Sequence, residues 1–157
     1  MKVLTIAAAA AIALLAPATM VAAQSATPEL KTKSGTIGTP ASGKGQVVFY
    51  RPGSLMGAAL GCTVHEGAAQ IARLGSGKYW VSVVEPGKHS YNTEGEAKDV
   101  LNLEVEADET YFVKCNIGMG VMSGRANLSP ASTEDFAKKA KGLALWKPKG
   151  TAEDTAQ

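Results

Sequence analysis

Apolar and polar residues alternate through the middle of the chain in short runs, each stopped by Gly or Pro. A period of two with such frequent punctuation predicts β-strands joined by turns. The first predicted strand is QVVFYR over 46–51, ended by Pro52-Gly53. Strands over 62–66 and 69–74 follow, joined at Gly67, and Gly75-Ser76-Gly77 leads into a fourth over 78–84. In Glu85-Pro86-Gly87-Lys88, Pro sets φ at the second position and Gly supplies positive φ at the third, which makes a turn. A fifth strand runs to about Tyr91, and 92–99 is a polar connection. Strands over 100–106 and 110–117 flank Ala107-Asp108-Glu109, read as a hairpin, and a last strand falls near 125–128.

One segment changes period. Phe136, Ala140 and Leu143 recur at i, i+4 and i+7, a single apolar helical stripe. Ser132 suits the N-cap, Glu134 and Asp135 the positive N-terminal end, and Lys138, Lys139 and Lys141 the other end, with Gly142 closing a helix over 132–142. The sum is an all-β domain over 45–150: a seven- to eight-stranded antiparallel β-sandwich with one short C-terminal helix. Residues 24–44 lack apolar periodicity and are rich in Ser, Thr, Gly, Pro and Lys, so they read as a flexible arm; 151–157 read as a disordered polar tail.

The first 23 residues follow another plan. Lys2 precedes an apolar run from Val3 to Leu15, Pro17 breaks it, and Val21-Ala22-Ala23 supplies small residues before Gln24. That is the layout of a cleaved signal peptide over 1–23. The apolar run is about 13 residues, short of the roughly 20 that span a bilayer. Gln24 and Ser25 stand where a lipidated Cys would be needed. The expectation is a periplasmic or secreted protein, neither membrane-spanning nor lipid-anchored.

Composition narrows the chemistry. Of 157 residues, 16 are basic and 14 acidic, and no polybasic run stands out, so there is no electrostatic footprint for nucleic acid. Only His65 and His89 are present, on different predicted strands, with no carboxylate pair bracketing either. No zinc-ligand spacing, nucleophile elbow or phosphate-binding loop occurs, so no metal, cofactor or catalytic residue is expected. Glu104, Glu106 and Glu109 read as a solvated edge.

The two cysteines belong to this picture. Cys62 shares a strand face with Val64, and Cys115 shares one with Tyr111, Val113 and Ile117, so both thiols point where the apolar residues point. In an oxidising compartment this favours a core disulfide between Cys62 and Cys115. Two buried free thiols are the alternative, and a redox or metal role lacks a CxxC or a Cys/His cluster to support it.

Two loops, 53–61 and 118–124, are apolar where loops are ordinarily polar. Every methionine beyond the signal lies in them: Met56, Met119 and Met122. Three readings stand: the loops seal one end of the core, they form an adaptable contact patch of Leu55, Met56, Met119 and Met122, or their thioethers hold a soft cation such as Cu(I).

Gly45-Gln-Val-Val-Phe-Tyr-Arg51, Gly67, Ile71-Ala-Arg-Leu-Gly75, Lys78-Tyr79, Glu85-Pro-Gly-Lys-His89 and Thr110-Tyr-Phe-Val113 together resemble an uncharacterised bacterial domain family of small exported proteins and lipoproteins. The pattern is similar to PEGA-type domains, small β-sandwiches with a Pro-Gly turn. The resemblance covers about 45–117 and implies a fold without implying catalytic residues. The functional expectation is a non-enzymatic cell-envelope module that binds an envelope protein or surface component. The alternative is a periplasmic carrier of a small apolar ligand held under the Met/Gly loops.

Overall fold

Nine of the twelve elements build a sandwich, and the other three cover one of its faces. A computed structural model describes residues 30–55, 57–93, 99–119 and 124–148. The expected signal peptide over 1–23, residues 24–29 of the arm and the tail over 151–157 lie outside the described residues. In chain order the elements are β1 (Leu30–Thr32), β2 (Gly35–Ile37), β3 (Gly45–Arg51), β4 (Cys62–Glu66), β5 (Ala69–Leu74), β6 (Lys78–Val84), β7 (Gly87–Thr93), β8 (Val100–Val105), β9 (Thr110–Met119), β10 (Gly124–Ala131), α1 (Thr133–Ala140) and β11 (Ala144–Leu145). One sheet has the order β10-β9-β3-β6-β11 and the other β5-β4-β7-β8. The eight strands read from the alternation are β3 to β10, with boundaries close to those expected.

The two sheets close on a core of Val47 and Phe49 from β3, Val113 and Cys115 from β9, and Cys62, Val64, Leu74, Tyr91 and Val105 from the facing sheet. A second cluster lies on the opposite face of the five-stranded sheet. There Val48, Tyr50, Tyr79 and Phe112 are covered by Phe136, Ala140 and Leu143 and by Leu30 and Ile37. β3 is therefore enclosed on both faces, and all seven of its residues are buried. This is why QVVFYR reads as a near-continuous apolar run where its neighbours alternate.

The helix forms as its sequence predicts. Ser132 caps it by accepting a hydrogen bond from the Asp135 N–H at 3.2 Å. Phe136 is fully buried, packed edge-on to Tyr50 at 5.0 Å and stacked on Phe112 at 4.7 Å. That burial contributes roughly 2–3 kcal/mol. The turn at Gly142 closes on the Lys139 carbonyl at 2.9 Å.

Three expectations need correction. Residues 30–37 of the supposed flexible arm form the β1–β2 hairpin, with Leu30 and Ile37 buried in the second cluster. Its sequence carries only these two anchors, and their burial depends on the surface offered by β3, β6 and α1. Second, the sandwich is mixed: β3 runs parallel to β9, and β11 parallel to β6. Third, Ala107-Asp108-Glu109 does not join a hairpin. β8 and β9 belong to different sheets, so the segment arches between the layers. Asp108 takes φ +64, its N–H donates to the Lys44 carbonyl at 2.7 Å, and its carboxylate accepts from Gly43 N–H at 2.9 Å. Asp tolerates the left-handed conformation in either kind of turn, so the local sequence does not separate them.

Candidate functional site

The parallel pairing of β3 with β9 sends the chain out of both strands at the same end of the sandwich. The 53–61 loop starts there, while β9 runs on past it, so that the expected loop residues Gly118 and Met119 are instead strand residues paired with Arg125 and Gly124 of β10. Leu60 reaches Gly124 so closely that a Cβ on that glycine would overlap the Leu60 side chain. Beneath them lies the Cys62–Cys115 disulfide, which links the first residue of β4 to β9 across the two sheets and is buried at both ends. It anchors the root of the first loop to the strand that carries the second.

Arg51 organises the first loop. It is the last residue of β3 and only 3% exposed. Its guanidinium donates to the carbonyls of Gly57 (2.6 Å), Leu60 and Leu74 (3.4 Å). Burial pulls its pKa below the ordinary arginine value, but three carbonyl acceptors compensate the buried cation in part. Gly57 adopts φ +70, which suits the only residue without a Cβ, and Leu60 N–H closes a turn on its carbonyl at 3.0 Å. Ser54 exchanges two hydrogen bonds with the Ser76 hydroxyl, at 2.9 and 3.1 Å.

On this braced loop Leu55 is 99% exposed and Leu60 41%. Of the four residues expected to form a patch, Leu55 is thus placed in solvent at the loop end. Met56 and Met122 lie outside the described residues; Met119 ends β9 and its side chain is likewise outside them. Beside Leu60 a shallow groove of about 350 Å³ is lined by Ala58, Ala59, Leu60, Gly61, Arg73, Gly75 and Trp146. Trp146 packs edge-on against Trp80 at 5.4 Å.

A second polar cluster sits near the β6–β7 turn and was missed by reading the histidines in isolation. Glu66 of β4 pairs with Tyr91 of β7 in register, and His89 stands two residues along the same face. The His89 Nδ1 lies 2.5 Å from the Glu66 carboxylate, and Nε2 lies 2.8 Å from the Glu85 carbonyl. A carbonyl only accepts, and an ionised carboxylate only accepts, so this arrangement favours the doubly protonated, cationic ring, in which both nitrogens donate. Burial works against that charge, but the Glu66 hydrogen bond, the Glu85 carbonyl and the Glu66 charge outweigh it and raise the His89 pKa. The ring stacks on Tyr91 at 6.0 Å. The Tyr91 hydroxyl is buried without a hydrogen-bond partner among the described residues, and burial followed by the Glu66 charge drives its pKa upward. The signal that would have revealed the pair is the β4–β7 register, which the sequence does not display.

Glu104, Glu106 and Glu109 are exposed, as expected of a solvated edge. Among the described residues no three His, Cys, Asp or Glu side chains gather as a metal site. No helix there is long and apolar enough to cross a membrane.

Strand order, two facing sheets and an inter-sheet disulfide define a small β-sandwich domain. Residues 41–127, more than half the chain, match the family model described as a protein of unknown function (DUF2846), and the chain belongs to that family. The match runs from β3 into the first half of β10 and leaves out β1, β2, α1 and β11. No curated protein and no solved structure matches the chain.

Proposed function

We propose that this protein is an exported, non-enzymatic module of the cell envelope, and that its loop end is the contact surface for an envelope protein or surface component. Export rests on the signal-peptide layout of residues 1–23, and the kinship with bacterial exported and PEGA-like domains on the turn and core residues quoted above. The observation that carries the binding reading is Leu55: a fully exposed leucine on a loop held by three hydrogen bonds from a buried arginine. Displaying an apolar side chain on a braced loop lowers the ordering cost on contact. In the sequence Met56, Met119 and Met122 fall in the same two segments, 53–61 and 118–124, and unbranched thioether side chains adapt to varied surfaces.

The test is capture of envelope components on the immobilised protein, comparing it with Leu55→Ser and Leu60→Ser. Both variants should lose the captured material, Leu55→Ser with its stability held within about 0.5 kcal/mol. Unchanged capture refutes the reading. The carrier alternative draws on the groove beside Leu60 and Trp146. It requires a small apolar molecule to co-purify with the native protein, as seen by mass spectrometry under non-denaturing conditions.

A further inference from the structure

α1 covers part of the outer face of the five-stranded sheet. Val48, Phe112 and Ala131 form one row across β3, β9 and β10, and Phe136 stacks on that row at Phe112. Two residues along each strand, on the same face, comes a second row: Tyr50, Lys114 and Ser129. Asp135, Lys138 and Lys139 stand three and four residues apart, on one flank of α1 beside that row. Row and flank enclose a hollow of about 280 Å³. It opens on the opposite face of β9 from Cys115, away from the disulfide and the inter-sheet core.

Two features of the hollow are out of balance. Tyr50 is 1% exposed, yet its hydroxyl has no hydrogen-bond partner among the described residues. It is not sealed in as the Tyr91 hydroxyl is, because Tyr50 borders the hollow. A polar group withdrawn from bulk water without a partner costs free energy, and an acceptor placed in the hollow would recover it. Burial, followed by the Asp135 charge, raises the Tyr50 pKa, so the hydroxyl keeps its proton and can donate. The second feature is charge. Lys138 is tied to Asp135 at 3.4 Å, whereas Lys114 and Lys139 have no ion-pair partner among the described residues. Three lysines against one aspartate leave two positive charges uncompensated beside one unpaired donor. The Ser129 hydroxyl is already engaged, donating to the Lys114 carbonyl at 3.4 Å.

We propose that this hollow binds the phosphate group of a small phosphomonoester. Such a group carries close to two negative charges at neutral pH and three terminal acceptor oxygens. Both numbers match the site: two uncompensated ammonium charges, and three donor groups in Lys114, Lys139 and Tyr50. A carboxylate brings one charge and two oxygens, which leaves a donor unmatched. The hollow is close to the lower size limit of small-molecule sites, roughly 300 Å³, so a few further atoms fit beside the phosphate. Asp135 would accept from hydroxyls on that organic part, which favours a polar, hydroxylated ester.

The experiment is titration of the purified protein with glycerol phosphate, inorganic phosphate and acetate at fixed ionic strength, followed by amide chemical shifts. Glycerol phosphate should saturate below about 10 mM and shift the amides of Tyr50, Lys114, Ser129 and Lys139. Inorganic phosphate should bind more weakly, and acetate more weakly still. Lys114→Gln, Lys139→Gln and Tyr50→Phe should each weaken glycerol phosphate binding about tenfold with the melting temperature held. Lys88→Gln makes the same charge change on the other sheet and should leave binding unaltered. The two lysine variants keep the test decisive if Tyr50→Phe disturbs the packing on Phe136. No saturation by about 10 mM overturns the proposal. So does acetate or inorganic phosphate binding as tightly as the ester, or ester binding that Lys114→Gln and Lys139→Gln weaken no more than Lys88→Gln does.

Discussion

Removing the Cys62–Cys115 bridge isolates one term in the stability of this sandwich. The bond closes a loop of 53 residues that runs from β4 through β9. In the chain-entropy account, opening a loop of that length costs about 4 kcal/mol at 25 °C. For a domain of this size that corresponds to roughly 12–16 °C in melting temperature. The strands themselves should survive, because Val47, Phe49, Val64, Tyr91 and Val113 pack between the sheets without the sulfurs. Two perturbations separate the contributions. Reduction of the native protein removes the bond but keeps both sulfurs in the core. Cys62→Ala with Cys115→Ala also leaves small voids at two buried positions, which adds a cavity penalty. Urea unfolding should therefore rank the proteins oxidised, then reduced, then double alanine, with near-UV circular dichroism native-like in all three before the transition. A reduced protein within about 1 kcal/mol of the oxidised one would refute the argument that the bridge acts chiefly by restricting the unfolded chain.

Arg51→Met keeps much of the aliphatic volume but removes the donors to Gly57, Leu60 and Leu74. It should cost about 2–4 kcal/mol and open the 53–61 loop to limited proteolysis; a stable, protease-resistant variant would contradict the bracing role. The His89 pKa is raised in the folded state, so its pairing adds stability that is complete below the unfolded value of about 6.5 and is lost as pH rises through the folded value. Glu66→Gln should therefore narrow the stability gap to the native protein as pH rises from about 6 to 8, read as melting temperature against pH, and a gap independent of pH would count against a cationic His89.

Much of this protein was determined locally. Pro52-Gly53, Gly67, Gly75-Ser-Gly77 and Glu85-Pro86-Gly87 end or turn strands by fixing φ at single positions, so β3 to β7 start and stop nearly where their sequence says. Gly67, Gly77 and Gly87 take positive φ in those turns. Ser132 likewise starts α1 through a cap three residues long, and the i, i+4, i+7 spacing of Phe136, Ala140 and Leu143 sets its period. Even the disulfide was legible, because strand alternation points Cys62 and Cys115 into the same interior. What local sequence does not contain is the identity of each strand's neighbour. The parallel pairing of β3 with β9, the arch at Asp108 and the meeting of Glu66 with His89 all join residues far apart in the chain. Their alternatives differ little in local free energy and are separated by which surfaces the whole chain buries. The β1–β2 hairpin shows the same limit. Leu30 and Ile37 become core residues only because tertiary packing presents them with the outer face of a sheet and the flank of a helix. Periodicity reports which face of a strand is apolar; only the assembled fold supplies the surface that face is buried against.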